Sequence, residues 1–317
     1  MSRRTFIAFV GRRLLASVGI VLVVSVLIFS LIHLAPGGAE QTIGGRFATP
    51  EQLASIRASY GLDDPLPEQY VRYLGQVVQL HLGNSLTRRE PVGEAILNGL
   101  KVTAPIVLIS FLLTSLLGTV LGTVAAYRRG AILDRVIGGF SIAGASVPTF
   151  ATATILLYVL GVQLGWLPTA GTGEGFVDRA GHLVIPILTL AIFGTASLMK
   201  LTRARVLQVL EEDHVTFARA RGLSERHVLI RSVLRNAGVQ VITVVGVLLL
   251  SLVAGSILVE VTLGLDGVGS LLVDALSARD IPTVQGVTLL ITVFIVAVNL
   301  VVDLLYFAID PRLRARS

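Results

Sequence analysis

Asp213-His214-Val215-Thr216-Phe217-Ala218-Arg219-Ala220-Arg221-Gly222-Leu223-Ser224 is too polar to lie inside a membrane and too patterned to be a plain linker. Glu211, Glu212 and Asp213 put acids at a helix start, where they complement the helix dipole. Val215 and Ala218 share a face with Gly222, and Gly222 stops the helix. Ser224 can cap a second helix, with Glu225 in its first turn. There Leu229, Ile230, Val233, Leu234 and Ala237 recur at helical spacing, so 200–237 reads as helix, glycine turn, helix. What flanks this hairpin decides the fold. Residues 180–199 before it and 236–259 after it contain no Asp, Glu, Lys or Arg. Each is long enough to cross a bilayer, which takes roughly 20 apolar residues.

Working outward, 14–39, 102–127, 136–173 and 281–302 are likewise free of charge, which makes six such stretches. Stretch 136–173 is too long for one span, and its end, Gly165-Trp166-Leu167-Pro168, reads as an interfacial turn with a Trp anchor. The composition agrees. Of 317 residues, 53% are hydrophobic and 15% charged, against about 25% charged in a typical globular domain. A soluble fold of this size could not cover its surface with so few charges. With no cysteine, disulfides, thiolate metal sites, iron–sulfur clusters and Cys nucleophiles are excluded. Arg3, Arg4, Arg12 and Arg13 resemble a signal-peptide n-region, but the following apolar run is too long and no cleavage site follows, so it reads as a retained first helix. No Cys is available for lipidation, and Ser2 follows Met1. Six spans put both termini on one side. With the N-terminus cytoplasmic, 18 of the 26 Lys and Arg fall inside, so the net charge of +6 reflects orientation in a membrane rather than nucleic-acid binding.

Residues 40–100 form an extracytoplasmic segment with its own structure. Thr49-Pro50-Glu51-Gln52 is a capping-box start and Gly61 a helix stop. Tyr70, Val71, Leu74, Val77 and Val78 recur at helical spacing, and 91–100 reads as a third short helix before the second span. The segment is either an ordered connector on the membrane surface or a docking surface for an extracellular partner. Gly118 and Gly122 form a GxxxG pair, read as ordinary helix packing. Pro148 and Pro186 are expected to kink the third and fourth stretches. Ser110, Thr114, Ser146, Pro148 and Thr149 are candidates to line a weakly selective path, the alternative being that the hydroxyls bond only their own helix backbone. In Leu263-Gly264-Leu265-Asp266-Gly267-Val268-Gly269 the glycines let a backbone turn tightly and approach a partner, with Asp266 at the tip and Leu271, Leu272 and Ala275 anchoring the next short helix to the membrane face. The alternative there is a plug closing the outer end of the path.

The chain carries no enzyme signature. A Walker A motif needs Gly-Lys followed by Ser or Thr, and the only lysines, Lys101 and Lys200, follow Leu100 and Met199. None of His33, His81, His182, His214 and His227 is followed by Glu, so a zinc HExxH protease is excluded. A serine intramembrane protease would need a His base at membrane depth. Gly144-Ala145-Ser146 is a partial match, but His182 sits at a span end and His214 in the loop. A packed small-residue stripe explains Ser146 better, and proteolysis stays a distant alternative. Ion-coupled transport calls for carboxylates deep in the bilayer, whereas Glu260 and Asp303 sit near span ends.

The stretch 213–224 resembles the EAA loop of binding-protein-dependent ABC importer permeases, in the version found in dipeptide and oligopeptide (peptide/nickel) permeases. The similarity runs over nearly the whole chain. Arg12-Arg13-Leu14-Leu15 with Leu34-Ala35-Pro36-Gly37 resembles the N-terminal signature, and Gly61-Leu62-Asp63-Asp64-Pro65-Leu66 the first outside loop. Ser146-Val147-Pro148-Thr149-Phe150, Leu164-Gly165-Trp166-Leu167-Pro168, Ala278-Arg279-Asp280-Ile281-Pro282-Thr283-Val284-Gln285-Gly286, Asp303-Leu304-Leu305-Tyr306 and Asp310-Pro311-Arg312 are similar to later motifs. Thr216 stands where the EAA motif has its Glu, and Gly38-Ala39 follow Pro36-Gly37 where an Asp is usual. The resemblance implies an all-α, six-span type I ABC importer permease of the B-type, importing peptides, with nickel complexes or another small solute as the alternative cargo. It divides the chain into 1–39 with the first span, the outer segment 40–100, a permease core 101–310 and a tail 311–317. It implies a second homologous permease, two cytoplasmic ATP-binding subunits that hold ATP and Mg, an extracellular or periplasmic solute-binding protein and membrane lipid as partners. No cofactor, metal or catalytic residue is implied on this chain. Asp213, Val215, Phe217, Ala218, Arg219, Ala220 and Gly222 would couple to the ATPases, and Gly264, Asp266, Gly267 and Gly269 would face the binding protein. The location implied is the cell membrane, multi-pass, with both termini cytoplasmic.

Overall fold

The computed structural model describes residues 3–34, 39–41, 48–173 and 175–309; among them the only β pairing is a single bridge between Asn84 and Pro91. Pro36-Gly37, Arg46, Asp310-Pro311-Arg312 and the tail 311–317 lie outside the described residues. The helices are α1 (Arg3–Leu34), α2 (Pro50–Tyr60), α3 (Leu66–Val78), α4 (Val92–Tyr127), α5 (Ile132–Ser146), α6 (Thr149–Leu156), α7 (Gly175–Leu210), α8 (Asp213–Ala220), α9 (Arg235–Leu263), α10 (Val268–Ala278) and α11 (Ile281–Ile309). A π-helical stretch, Leu157–Gln163, prolongs α6, and a single turn at Glu225–His227 with a second π-helical stretch, Val228–Leu234, leads into α9.

Among the described residues five helices are long and apolar enough to cross a membrane: Val10–His33, Val92–Tyr127, Val177–Leu210, Val241–Leu263 and Ile281–Leu305. The third stretch, 136–173, is not a kinked helix, as expected from Pro148, but a broken one. Helix α5 and the α6 pair meet at 105°. Val147 is extended (φ −80°, ψ 127°) and Pro148 becomes the N-cap of α6. The proline has no N–H to continue α5, and its ring bars the residue before it from helical geometry. By contrast Pro105 and Pro186 lie inside unbroken α4 and α7. The separate short helix expected over 91–100 is also absent: α4 runs without interruption from Val92.

Two compact units form. In the first, 104–265 with 301–309, α7 is the most buried span, and α5, α6 and α9 pack on it. The GxxxG pair serves this packing. A Cβ on Gly118 would stand 2.8 Å from Leu198 Cβ, and one on Gly122 2.7 Å from the Met199 carbonyl. Only glycine lets α4 approach α7 this closely.

In the second unit, 3–103 with 266–300, α2 opens on the expected capping box. Thr49 Oγ1 accepts from Gln52 N at 3.3 Å and Gln52 Oε1 from Thr49 N at 2.9 Å. Helix α3 turns a different face inward than its valines suggest. Val71 and Val78 are 67% and 82% exposed, whereas Gln69 is buried. The reason is that α1 offers polar and aromatic partners: Ser25 Oγ lies 2.7 Å from Tyr70 Oη, His33 Nε2 lies 3.0 Å from Gln69 Oε1, and Phe29 stacks near Tyr70 and Tyr73. Leu271 and Ala275 are not at a membrane face; both are 3% exposed, and Leu271 joins a core with Val92, Ala95, Ile96 and Val287.

Candidate functional site

The hairpin between α7 and α9 is built on an apolar pad. Val206 and Val209 of α7, Val215 and Ala218 of α8, Val228, Val233 and Ala237 form one buried cluster with Ala126. Val228 and Val233 both face inward because the stretch between them is π-helical, and i→i+5 bonding puts residues five apart on one side. An α-helical reading instead favoured Ile230, which is 52% exposed. At the tip, Gly222 adopts φ +74°; its N–H donates to Arg219 O, and Leu223 N–H donates to Ala218 O. That closes α8 with the left-handed residue the sequence predicts. Ser224 sits at the N-cap backbone position of the next turn but makes no side-chain cap.

The seven hairpin residues divide by direction. Val215 and Ala218 are buried against the pad and hold the helix in place. Asp213, Phe217, Arg219, Ala220 and Gly222 are exposed, Phe217 at 69%. The Phe217 ring thus lies outside the buried cluster that anchors α8. Polar links steady the hairpin from the side. Arg219 Nε and Nη2 donate to the two Glu225 oxygens at 3.0 and 3.2 Å, and Tyr127 Oη donates to Glu225 Oε2 at 2.7 Å. The Tyr127 hydroxyl first, then the Arg219 guanidinium, hold the Glu225 carboxyl below its ordinary value. Arg129 Nη1 donates to Glu211 at 2.9 Å, and Arg203 donates to both Asp134 oxygens at 2.6 and 2.9 Å. The sequence reading takes Arg129 and Arg203 only as charge bias, whereas Arg219 is among its coupling residues; Asp134, just before the stretch 136–173, is the signal for the Arg203 contact.

The five path candidates do not form one surface in this chain. Ser110 and Thr114 are fully buried. Ser110 Oγ donates to the Ile187 carbonyl at 3.1 Å, and Thr114 Oγ1 has no partner among the described residues. Ser146 is exposed and donates to the Ile142 carbonyl one turn back, while Pro148 and Thr149 sit at the α5–α6 break. At the turn after α9, Gly264 (φ +63°) caps the helix and Asp266 is exposed, with Arg88 Nη2 at 3.8 Å. Gly267 and Gly269 are buried instead of presenting a tip. Gly267 starts α10 in extended backbone, and its close neighbour is this chain's own Gly99, where a Cβ would stand 2.9 Å from Val268 N. Among the described residues no cluster of His, Cys, Asp or Glu could hold a metal ion.

Five long apolar helices, a broken helix pair and an anchored helical hairpin among the described residues are those of a polytopic α-helical membrane protein. Residues 118–315 match the family of binding-protein-dependent transport system inner membrane components, and 6–107 match its N-terminal family, so the chain belongs to this family of multi-pass membrane proteins. It is 36% identical over 309 residues to "Probable peptide ABC transporter permease protein y4tP" of Sinorhizobium fredii, covering 96% of this chain and 99% of that one. It is 37% identical over 306 residues to the glutathione transport system permease protein GsiC of Salmonella paratyphi A, covering 96% and 98%. Its fold is similar to an inward-facing structure of the MetNI methionine ABC transporter, with TM-score 0.55 and 15% identity over 68% of this chain and 96% of that one.

Proposed function

We propose that this chain is the B-type permease subunit of an ATP-driven importer that moves di- and oligopeptides across the cell membrane. The observation that carries the reading is the near full-length similarity to permeases named for peptides and for glutathione, itself a tripeptide. In this proposal a second permease completes the path, two ATP-binding subunits bind beneath it, and a solute-binding protein docks on the outer side over 40–100 and the Asp266 turn. Both termini face the cytoplasm, and so does the hairpin 200–237. ATP and Mg stay on the partner ATPases; this chain catalyses nothing itself. The test is uptake of labelled peptides by cells carrying or lacking the chain. Uptake should need the chain, stop on ATP depletion and survive an uncoupler. Loss with the uncoupler alone would point to ion coupling, and uptake restricted to nickel complexes would reassign the cargo.

Helix α8 is the coupling element in this reading. Docked ATPases move it as a rigid body when they dimerise, with Phe217 as the contact and Val215 and Ala218 as its anchors. Phe217→Ala should leave the chain's thermal midpoint unchanged and weaken copurification of the ATPases about tenfold, the scale of a buried aromatic anchor. Unchanged copurification would remove Phe217 from the contact.

A further inference from the structure

A cavity of about 320 Å³ lies within the unit formed by 3–103 and 266–300, and neither the hairpin nor the Asp266 turn uses it. Its floor is apolar: Phe29 and Ile32 from the last turns of α1, Leu82, and Pro282 from the first turn of α11. Its rim is polar: Tyr73 and Gln76 of α3, then His81 and Asn84. No hydrogen bond of these four side chains to another described residue is present, whereas their polar neighbours are engaged. His33 meets Gln69, Gln285 Nε2 donates to the Ile28 carbonyl at 2.8 Å, and Arg72 Nη2 donates to Asp64 at 2.6 Å. Among the described residues that line the cavity there is no carboxylate.

Its depth follows from the spans. One ends at His33 and another begins at Ile281, and the cavity is lined by the last turn of the first and the first turn of the second. The length and composition of these two helices put that level at the boundary between hydrocarbon and water. Helix α3 fits that level. Its outward residues Val71 and Val78, with Leu80 beyond, are 67%, 82% and 78% exposed, while its other face packs on α1. This is how an amphipathic helix lies in the interface, and Tyr70 and Tyr73 are of the type enriched there. Burial pushes the Tyr73 phenol up to about 12, so its hydroxyl remains a donor. Donors at headgroup depth over an apolar floor suit an amphiphile with an anionic oxygen group.

We propose that this cavity is a phospholipid site, which takes the phosphodiester headgroup of one bilayer lipid. The phosphate oxygens accept from Tyr73, Gln76, His81 and Asn84, and the glycerol and upper acyl carbons cover Phe29, Ile32 and Pro282. The test is native mass spectrometry of the complete transporter from nanodiscs of phosphatidylethanolamine and phosphatidylglycerol. It compares wild type, the Gln76→Ala/His81→Ala/Asn84→Ala variant, and Tyr73→Phe, which preserves the ring packing. Wild type should retain one more phospholipid per copy of this chain than the triple variant through detergent washing. Retention should fall about tenfold in the triple variant, as expected for losing charge-assisted hydrogen bonds, and less in Tyr73→Phe, both at matched thermal midpoints. Excess inorganic phosphate should leave the lipid in place. Three results overturn the proposal. They are equal retention in all three proteins, displacement of the lipid by inorganic phosphate, and a triple variant that keeps its lipid but loses stimulation of ATPase by the binding protein. The second marks a free-anion site and the third a docking surface.

Discussion

Single residues set the limits of the hairpin and of its neighbours. Gly222 has φ +74° and no atom within 4 Å of where a Cβ would stand, so its requirement is conformational, not steric. Gly222→Asn should therefore be tolerated, because Asn visits the left-handed region, while Gly222→Val should cost roughly 1–2 kcal/mol. Proteolytic sensitivity at 219–225 checks the order; equal sensitivity would mean that the turn conformation is unimportant. Asp280 is a second such residue. It is 1% exposed and accepts from Ser85 Oγ at 2.6 Å, Thr283 Oγ1 at 2.9 Å and Thr87 N at 3.3 Å, pinning the 83–91 loop to the start of α11. Burial pushes its carboxyl up, but the bonds from Ser85, Thr283 and the Thr87 and Leu86 amides outweigh it and hold it below the usual carboxylate value. The stabilisation is thus present above the unfolded pKa of about 3.9 and is lost as pH falls through the folded value. Hydrogen exchange at Ser85–Thr87 should rise with acid below pH ~4 in wild type, and Asp280→Asn should exchange faster at pH 7 with a flatter acid response. Identical profiles would show that the pin carries no charge-dependent stability.

At the level of elements, α8 works because its two faces are unlike. The inward face is filled, so Ala218→Trp overpacks the pad and should cost about 1–3 kcal/mol, read as a lower thermal midpoint. A midpoint equal to wild type would show that the pad yields. The legibility of the elements follows the same division. The spans, the capping box at Thr49, the stops at Gly61 and Gly222, and the 200–237 hairpin were readable because each rests on local chemistry: an apolar run, a side-chain cap, a positive φ. Three features were not. The π-helical register at Val228–Leu234 differs from an α pattern by one residue per turn, and a short apolar run does not reveal it. The inward face of α3 depends on what α1 presents to it, since Ser25 meets Tyr70 and His33 meets the buried Gln69, whose amide nitrogen also donates to the Leu62 and Asp64 carbonyls. The close packing of Gly267 and Val268 depends on Gly99, more than 160 residues earlier, which no local pattern encodes.

For the molecule as a whole, the proposed coupling raises the question of how a displacement of α8 would reach the membrane helices. The apolar pad joins α8 to α7 and Ala126 of α4, but polar links add direction. Tyr127 to Glu225, Arg129 to Glu211 and Arg203 to Asp134 all connect the α4–α5 turn to the segment that carries α8. The first two are exposed, and exposed pairs are worth only about 0.2–1 kcal/mol each. Their removal should leave folding and assembly nearly intact while loosening the turn from the hairpin. Coupling between sites typically amounts to 1–3 kcal/mol, or about 5–150-fold, so links of this size can matter to transmission when they do not matter to stability. The Tyr127→Phe/Arg129→Ala variant of the complete transporter should therefore keep its thermal midpoint and its ATPase stimulation by the binding protein, and lose about half or more of the peptide moved per ATP hydrolysed. The reversed pair Arg129→Glu/Glu211→Arg should recover part of that ratio relative to either single change, which a merely structural role would not do. If the ratio stays at the wild-type value in the double variant, the apolar pad alone transmits the motion and the α4–α5 turn is a passive neighbour.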